Sequence, residues 1–206
     1  MIYTKRYEAM PFQEKEILRY AGAKNPSVQE QELLQNCLAE AENRFRYHVC
    51  WGRFPIHMTE NGLNLSFTET KSKGLQKNLF DCQEIIVFAA TIGLDIDRLI
   101  HRYSRLSPAK ALFFQAIGTE RIESLCDAFC ADTARQLQAE GKNLKPRFSP
   151  GYGDLPLSMQ TDIFQVLDCS RKIGLSLNDS LLMTPSKSVT AIIGISNEKN
   201  TPCSSL

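Results

Sequence analysis

The chain has 206 residues, with 24 Lys and Arg against 23 Asp and Glu for a formal net charge of +1, and 43% of its residues are hydrophobic. Length and composition lead us to expect one globular domain with a sizeable core. The balanced charge argues against a polyanion as the main partner, because proteins that bind phosphate backbones carry a clear basic excess.

The longest uninterrupted apolar run, Ile85 to Ala90, is far short of the ~20 residues that cross a bilayer. The first residues, Met1-Ile-Tyr-Thr-Lys-Arg6, lack the apolar core of a signal peptide. A soluble, cytoplasmic protein is the expectation.

In chain order, the spacing of Ile17, Leu18 and Ala21 predicts a helix over 11–21, stopped by Gly22. A second helix is predicted over 27–45, where Val28, Leu33, Leu34, Cys37, Leu38 and Ala41 form one stripe. The period then changes to two. Phe45, Tyr47, Val49 and Trp51 alternate with polar neighbours, as do Leu63, Leu65 and Phe67, and Asn61-Gly62 between them is a hairpin turn signal. Lys71 to Gly74 reads as a short linker, and the mostly apolar Glu84 to Thr91 as a central strand.

Two helices are predicted next. One spans 94–103. The other opens at Ser107-Pro108, an N-cap followed by proline at the first helical position, and closes near Gly141. Unbroken, it would run roughly 50 Å. Its stripe is Phe114, Gly118, Ile122, Leu125 and Phe129, with Gly118 marking a bend or a close contact. A short helix over 161–169 is followed by two alternating strands, 177–183 and 188–195, joined by a turn at Pro185-Ser186-Lys187. Residues 1–196 read as a single module, with 197–206 as a flexible tail. Strands at both ends, helices between and hairpin signals give an α+β fold: a twisted, mainly antiparallel sheet flanked by helices.

Seven cysteines without a secretion signal imply reduced thiols rather than a disulfide framework. Cys126 and Cys130, four apart on a helix, could face a metal. They also fall in an apolar stripe, where cysteine acts as a small hydrophobe, so no metal is assigned. His48 sits in an alternating strand and His101 on a polar helix face, and neither reads as a ligand.

One loop concentrates chemistry: Arg147-Phe-Ser-Pro150-Gly151-Tyr152-Gly153-Asp154-Leu-Pro156. Glycine admits a ligand close to the backbone, arginine can clamp a carboxylate, and tyrosine offers a flat face with a polar tip. An ordered surface loop with an arginine salt bridge would share these residue types.

Arg147-x-x-Pro150-Gly151-Tyr152, then Ile173-Gly174-Leu175-Ser176-Leu177, Met183-x-Pro185 and Ser188-Val189, resembles the activation domain of cobalamin-dependent methionine synthase. Upstream, Phe88 to Asp95 and Ala116-Ile-Gly118 with Glu123 look like that family's shorter, free-standing members, whereas the first 80 residues match loosely. The resemblance implies binding of S-adenosylmethionine, whose methyl group restores oxidised cobalamin. It implies that Arg147 contacts the ligand carboxylate, that Ser149, Pro150 and Gly151 bring backbone to the adenosyl group, that Tyr152 completes the motif, and that Glu123 lies near the ligand. Glu120 and Asp127 flank Glu123 on one side of the helix, and a solvated acidic face accounts for them equally well.

The sequence also departs from the family pattern. Ile193 falls where the large enzymes carry an aromatic, Gly153 replaces a proline, and an acidic ligand-binding residue near the start of the large domain has no counterpart. The Asp-x-His-x-x-Gly signature of a cobalamin module is absent, as is a cysteine cluster for zinc and homocysteine. The expected role is therefore a reactivation subunit within a corrinoid methyltransferase system of the methionine synthase type, incomplete as an enzyme alone. Its expected partners are a separate cobalamin-binding methyltransferase and a flavodoxin-type electron donor. The alternative is a non-catalytic docking module for a corrinoid protein, with an eroded ligand pocket.

Overall fold

A computed structural model of the chain describes residues 1–60 and 62–197. The elements in chain order are β1 (Ile2–Arg6), α1 (Glu14–Tyr20), α2 (Val28–Ala41), β2 (His48–Pro55), β3 (His57–Thr59), β4 (Gly62–Asn64), β5 (Glu69–Thr70), α3 (Lys73–Asn78), β6 (Cys82–Thr91), α4 (Asp95–Leu106), α5 (Pro108–Gln138), β7 (Lys142–Leu144), α6 (Met159–Leu167), α7 (Cys169–Ile173), β8 (Ser176–Leu177), β9 (Met183–Thr184) and β10 (Ser188–Asn197).

Five strands form the main sheet in the order β1-β2-β6-β10-β7, and every neighbouring pair is antiparallel. β6 and β10 lie inside it, each ten residues long and apolar on both faces. Ile86, Phe88 and Ala90 of β6, with Ala191 and Ile193 of β10, enter a core shared with α1, α2, α4 and α5. The alternate residues Ile85, Val87, Ala89 and Ile192 enter a second core under α3, α6 and α7. The expected α+β fold with a mainly antiparallel, helix-flanked sheet is the one observed. Burial on both faces, however, makes β10 a nearly continuous apolar strand rather than an alternating one.

The long helix forms as one unbroken element of 31 residues, and all five residues of its predicted stripe are buried. Gly118 marks a close contact, not a bend. A Cβ there would lie 2.9 Å from Lys187 Cγ and 3.1 Å from Ile96 Cγ1. Phe129 at the other end of the stripe packs on Phe88 and Trp51, with centroids 4.8 and 5.4 Å away. Cys126 is fully buried in this core, and Cys130 packs against its edge.

Several local expectations are corrected. The helix α2 starts as predicted, with Ser27 and Glu30 forming a capping box, but stops at Ala41, where Glu42 turns to an extended ψ of 138° and Asn43 takes a left-handed backbone. Residues 71–74 are not a linker. The Ser72 hydroxyl accepts from Leu75 N at 3.1 Å and caps α3. β4 pairs with β3 and β5 in a separate three-stranded sheet rather than with β2. Asn61 of the expected turn lies outside the described residues. The helix expected over 161–169 is two helices, divided at Asp168 with φ of 53°.

The strand expected over 177–183 is a tight loop between β8 and β9. Its hydrogen bonds come from Asn178, whose Oδ1 accepts from Ser180 N and Leu182 N at 3.0 and 2.9 Å. The tail expected over 197–206 lies outside the described residues from 198 onward, and Asn197 ends β10. Among the described residues no helix is long and apolar enough to cross a membrane.

Arg121 and Glu120 are almost completely buried, at 0% and 2% exposure, and pair through two hydrogen bonds. The guanidinium also donates to the carbonyls of Met10 and Pro11 at 2.6 and 2.8 Å and lies over the Phe12 ring, so it pins the segment before α1 onto α5. Breaking a buried pair by removing one partner leaves the other charge uncompensated, at a cost of about 3–5 kcal/mol. Arg121→Met is therefore expected to lower stability by about that amount in urea unfolding. A loss below about 1 kcal/mol would show that the pair does not hold the N-terminal segment in place.

Candidate functional site

The segment that follows α5 builds the site. After β7, Lys145 N and Phe148 N donate to the carbonyls of Gly194 and Ile192, both at 2.9 Å, so the chain runs along β10 as far as Phe148. Side chains alternate along such a segment. Phe148 is buried in the core under α3, α6 and α7, and Arg147 projects the other way, toward α5.

There Arg147 Nη2 donates to Glu123 Oε2 at 3.1 Å and to Asp127 Oδ1 at 3.0 Å. Both bonds use one nitrogen, which leaves Nε and Nη1 to face a further acceptor. Burial works against the Arg147 charge, but its neighbours, the Glu123 carboxylate among them, offset it, and the guanidinium titrates above its ordinary value.

Past Phe148 the chain turns sharply. Gly151 N donates to Leu155 O at 2.9 Å, while Tyr152 N donates to Ser149 O and Leu155 N to Tyr152 O, each at 3.1 Å. Gly151 has φ of +85°, and a Cβ there would come within 3.1 Å of Leu157 Cδ1, so both the turn and the space favour glycine. Pro150 is buried and Ser149 half-buried. Tyr152 is 69% exposed, with its ring edge-on to Phe148 at 5.4 Å between centroids.

Asp154 does not serve as a free acid at this loop. Its carboxylate accepts from Lys73 N at 2.6 Å, from Gly74 N at 3.1 Å and from the Ser72 hydroxyl at 2.5 Å. These bonds, that from Ser72 foremost, hold the carboxyl below the usual range. The contact requires Gly74, because a Cβ there would lie 2.9 Å from Asp154 Oδ1 and 3.1 Å from Phe148 Cζ. The loop is thus fastened to the N-terminus of α3, a helix whose presence sequence reasoning missed. Ser72 followed by Leu75 and Leu79 was the available signal.

Of the residues singled out in the sequence, Arg147 and Glu123 meet directly, and Ser149, Pro150, Gly151 and Tyr152 follow within the same turn. Glu120 is not part of a solvated face. It is buried, tied to Arg121 and accepting from the Ser124 hydroxyl at 2.7 Å. Asp127 remains exposed while pairing with Arg147. A cleft of about 180 Å³ between α1 and α5 is lined by Gln13, Glu16, Tyr20, Glu120, Glu123, Ser124 and Asp127, so Glu123 stands between this acidic cleft and Arg147. Ile193 is fully buried in the core and offers no face at this site. Among the described residues no group of three or more His, Cys, Asp and Glu side chains is arranged to hold a metal.

Residues 56–201 match the family model described as the vitamin B12 dependent methionine synthase activation domain. The chain belongs to this family. A solved structure described as the MetH reactivation domain bound to AdoHcy has the same fold, with a TM-score of 0.64 at 15% identity over 94% of this chain and 78% of that one. No curated protein matches the sequence.

Because Asp154 is charged and hydrogen-bonded in the folded chain, its contribution is present above the ordinary aspartate range and lost as pH falls through the lowered value. Asp154→Ala is expected to speed hydrogen exchange at the Lys73 and Gly74 amides at neutral pH. Unchanged protection would mean that the loop is held by other contacts.

Proposed function

We propose that this activation-domain protein binds S-adenosylmethionine beside α5 and presents its methyl group to cobalamin carried by a partner. The observation that carries the reading is the pairing of Arg147 with Glu123 on α5, with the Ser149–Tyr152 turn following Arg147 directly in the chain. The ligand is a zwitterion with an added sulfonium. It needs a cation for its carboxylate and an anion near its positive centres, and this cluster offers both. The AdoHcy-bound reactivation domain, similar in fold, supports the choice of ligand class.

In this reading Arg147 takes the carboxylate through Nε and Nη1. Its existing ion pairs, to acids whose side chains are 41% and 73% exposed, do not prevent this. Exposed pairs are worth only about 0.2–1 kcal/mol, so an incoming carboxylate can compete with them. Glu123, freed in part from Arg147, faces the ammonium or the sulfonium. Gly151 lets the ligand approach the backbone without a side chain in the way.

The protein's contribution is orientation. The sulfonium is already an activated methyl donor, and holding it in line with an acceptor replaces a bimolecular encounter by a positioned one. Cobalamin on the partner supplies the nucleophile. The chain acts as a single module over residues 1–196, with a cobalamin-binding methyltransferase as partner and a flavodoxin-type protein as electron donor.

A second reading is favoured by one observation. Ile193, in place of an aromatic, is fully buried, so the strand adds no stacking surface for an adenine. In that case the fold docks a corrinoid protein without binding the small ligand. Isothermal titration with S-adenosylmethionine separates the two. Binding is expected, with Arg147→Ala weakening it at least tenfold, a loss of about 1.4 kcal/mol. Absence of heat at millimolar ligand with folded protein would overturn the first reading.

A further inference from the structure

Lys187 lies in the segment between β9 and β10, and nothing in the motif assigned to the ligand uses it. Its stem rests in the notch left by Gly118, where a Cβ would come within 2.9 Å of Lys187 Cγ and 3.1 Å of its Cε. Its ammonium donates to the Thr119 hydroxyl at 3.0 Å. Among the described residues no ion pair joins it to a carboxylate, although it is half-buried.

Asp97, the acid whose charge acts on Lys187, is itself held by the Ser186 amide at 2.9 Å and by the Ser186 hydroxyl. The segment is further fixed by Ile92 N on the Lys187 carbonyl at 3.3 Å and by the Ser188 hydroxyl on Thr91 Oγ1 and Pro185 O, both at 2.8 Å. Holding a partly desolvated cation on a neutral hydroxyl costs free energy unless further acceptors or an opposite charge compensate it. Burial accordingly pushes the amine below the ordinary lysine range, with Asp97 opposing.

Its position relative to the site follows from the helix. Thr119 is one turn before Glu123, and residues four apart share a flank. Arg147 is anchored on Glu123 and Asp127, whose midpoint is six residues beyond Thr119. Lys187 and Arg147 are therefore anchored about 9 Å apart along the axis of α5, with Glu123 between them. The carboxylate and the nucleoside of S-adenosylmethionine are likewise separated by the methionine side chain and the sulfonium. With Arg147 on the carboxylate, the position about 9 Å nearer the start of α5 falls to the nucleoside, whose ring nitrogens and ribose oxygens are acceptors. A lysine ammonium offers donors only.

We propose that Lys187 is a second binding residue of this site, donating from the Gly118 notch to the nucleoside end of the ligand that Arg147 holds by its carboxylate. The proposal rests on the reading above. Its test uses two probes, S-adenosylhomocysteine and 5′-methylthioadenosine, which keeps the nucleoside and sulfur but lacks the amino-acid carboxylate. Lys187→Met retains the stem that fills the notch. It is expected to weaken both probes at least fivefold by calorimetry, whereas Arg147→Ala weakens only S-adenosylhomocysteine. Thr119→Val, which keeps the lysine but removes its hydroxyl seat, is expected to weaken both probes in the same direction. Unchanged binding of both probes by Lys187→Met would overturn the proposal and leave the site intact. Loss of S-adenosylhomocysteine binding alone would overturn the assignment to the nucleoside. Failure of the unaltered protein to bind either probe would overturn the proposal together with the reading on which it rests.

Discussion

A fully buried guanidinium organises the half of the molecule that carries the site. Arg121 enters the interior of the fold from α5 and satisfies its donors with the Glu120 carboxylate and two carbonyls of the N-terminal segment. An unpaired charge at that depth would cost several kcal/mol, so the three groups must close on it together. Closing them fixes α1 against α5 and turns the adjacent flank, with Glu123 and Asp127, outward to meet Arg147. A Leu or Met at position 121 would fill the space but could not bind those two carbonyls.

The rest of the site is a matter of close approach. Gly118 admits the Lys187 stem onto α5, and Gly74 admits Asp154 and Phe148 onto α3. Each is a place where a methyl group would force a neighbour to move. The loop from Arg147 to Asp154 is thereby held at both ends, by the β10 ladder through Phe148 and by the α3 terminus through Asp154. Its middle, Gly151 to Gly153, is exposed. Rigid ends with an open centre allow a short motif to place one arginine reproducibly against helix residues 20 and 24 positions upstream.

Much of this was legible in the sequence where one physical signal dominated. The stripe of α5, the apolar run of β6 and the Arg147–Tyr152 motif all stood out, because burial and backbone geometry leave strong local patterns. Glu120 was read as equally consistent with a solvated face, because its burial depends on Arg121 and on a segment more than a hundred residues away. The helix α3 reads as a linker in the sequence because Gly74 is a poor helix former, and its cap is completed by Asp154 from a distant loop. Strand β1 leaves no signal in the sequence, since four of its five residues are exposed and the fifth partly so at the sheet edge, and only pairing with β2 makes it a strand. Lys187 reads as part of a turn in the sequence, and its seat on α5 shows only in the Gly118 notch.

The central claim is that α5 and the Arg147 loop form one ligand site, and a titration followed residue by residue tests it most directly. In 15N-labelled protein titrated with S-adenosylmethionine, the account predicts shifts clustered at Thr119, Glu123, Arg147 and Gly151 to Gly153, including the Arg147 Nε resonance. Shifts clustered instead on residues of α1 and α2 remote from Arg147, or none at saturating ligand, would contradict it.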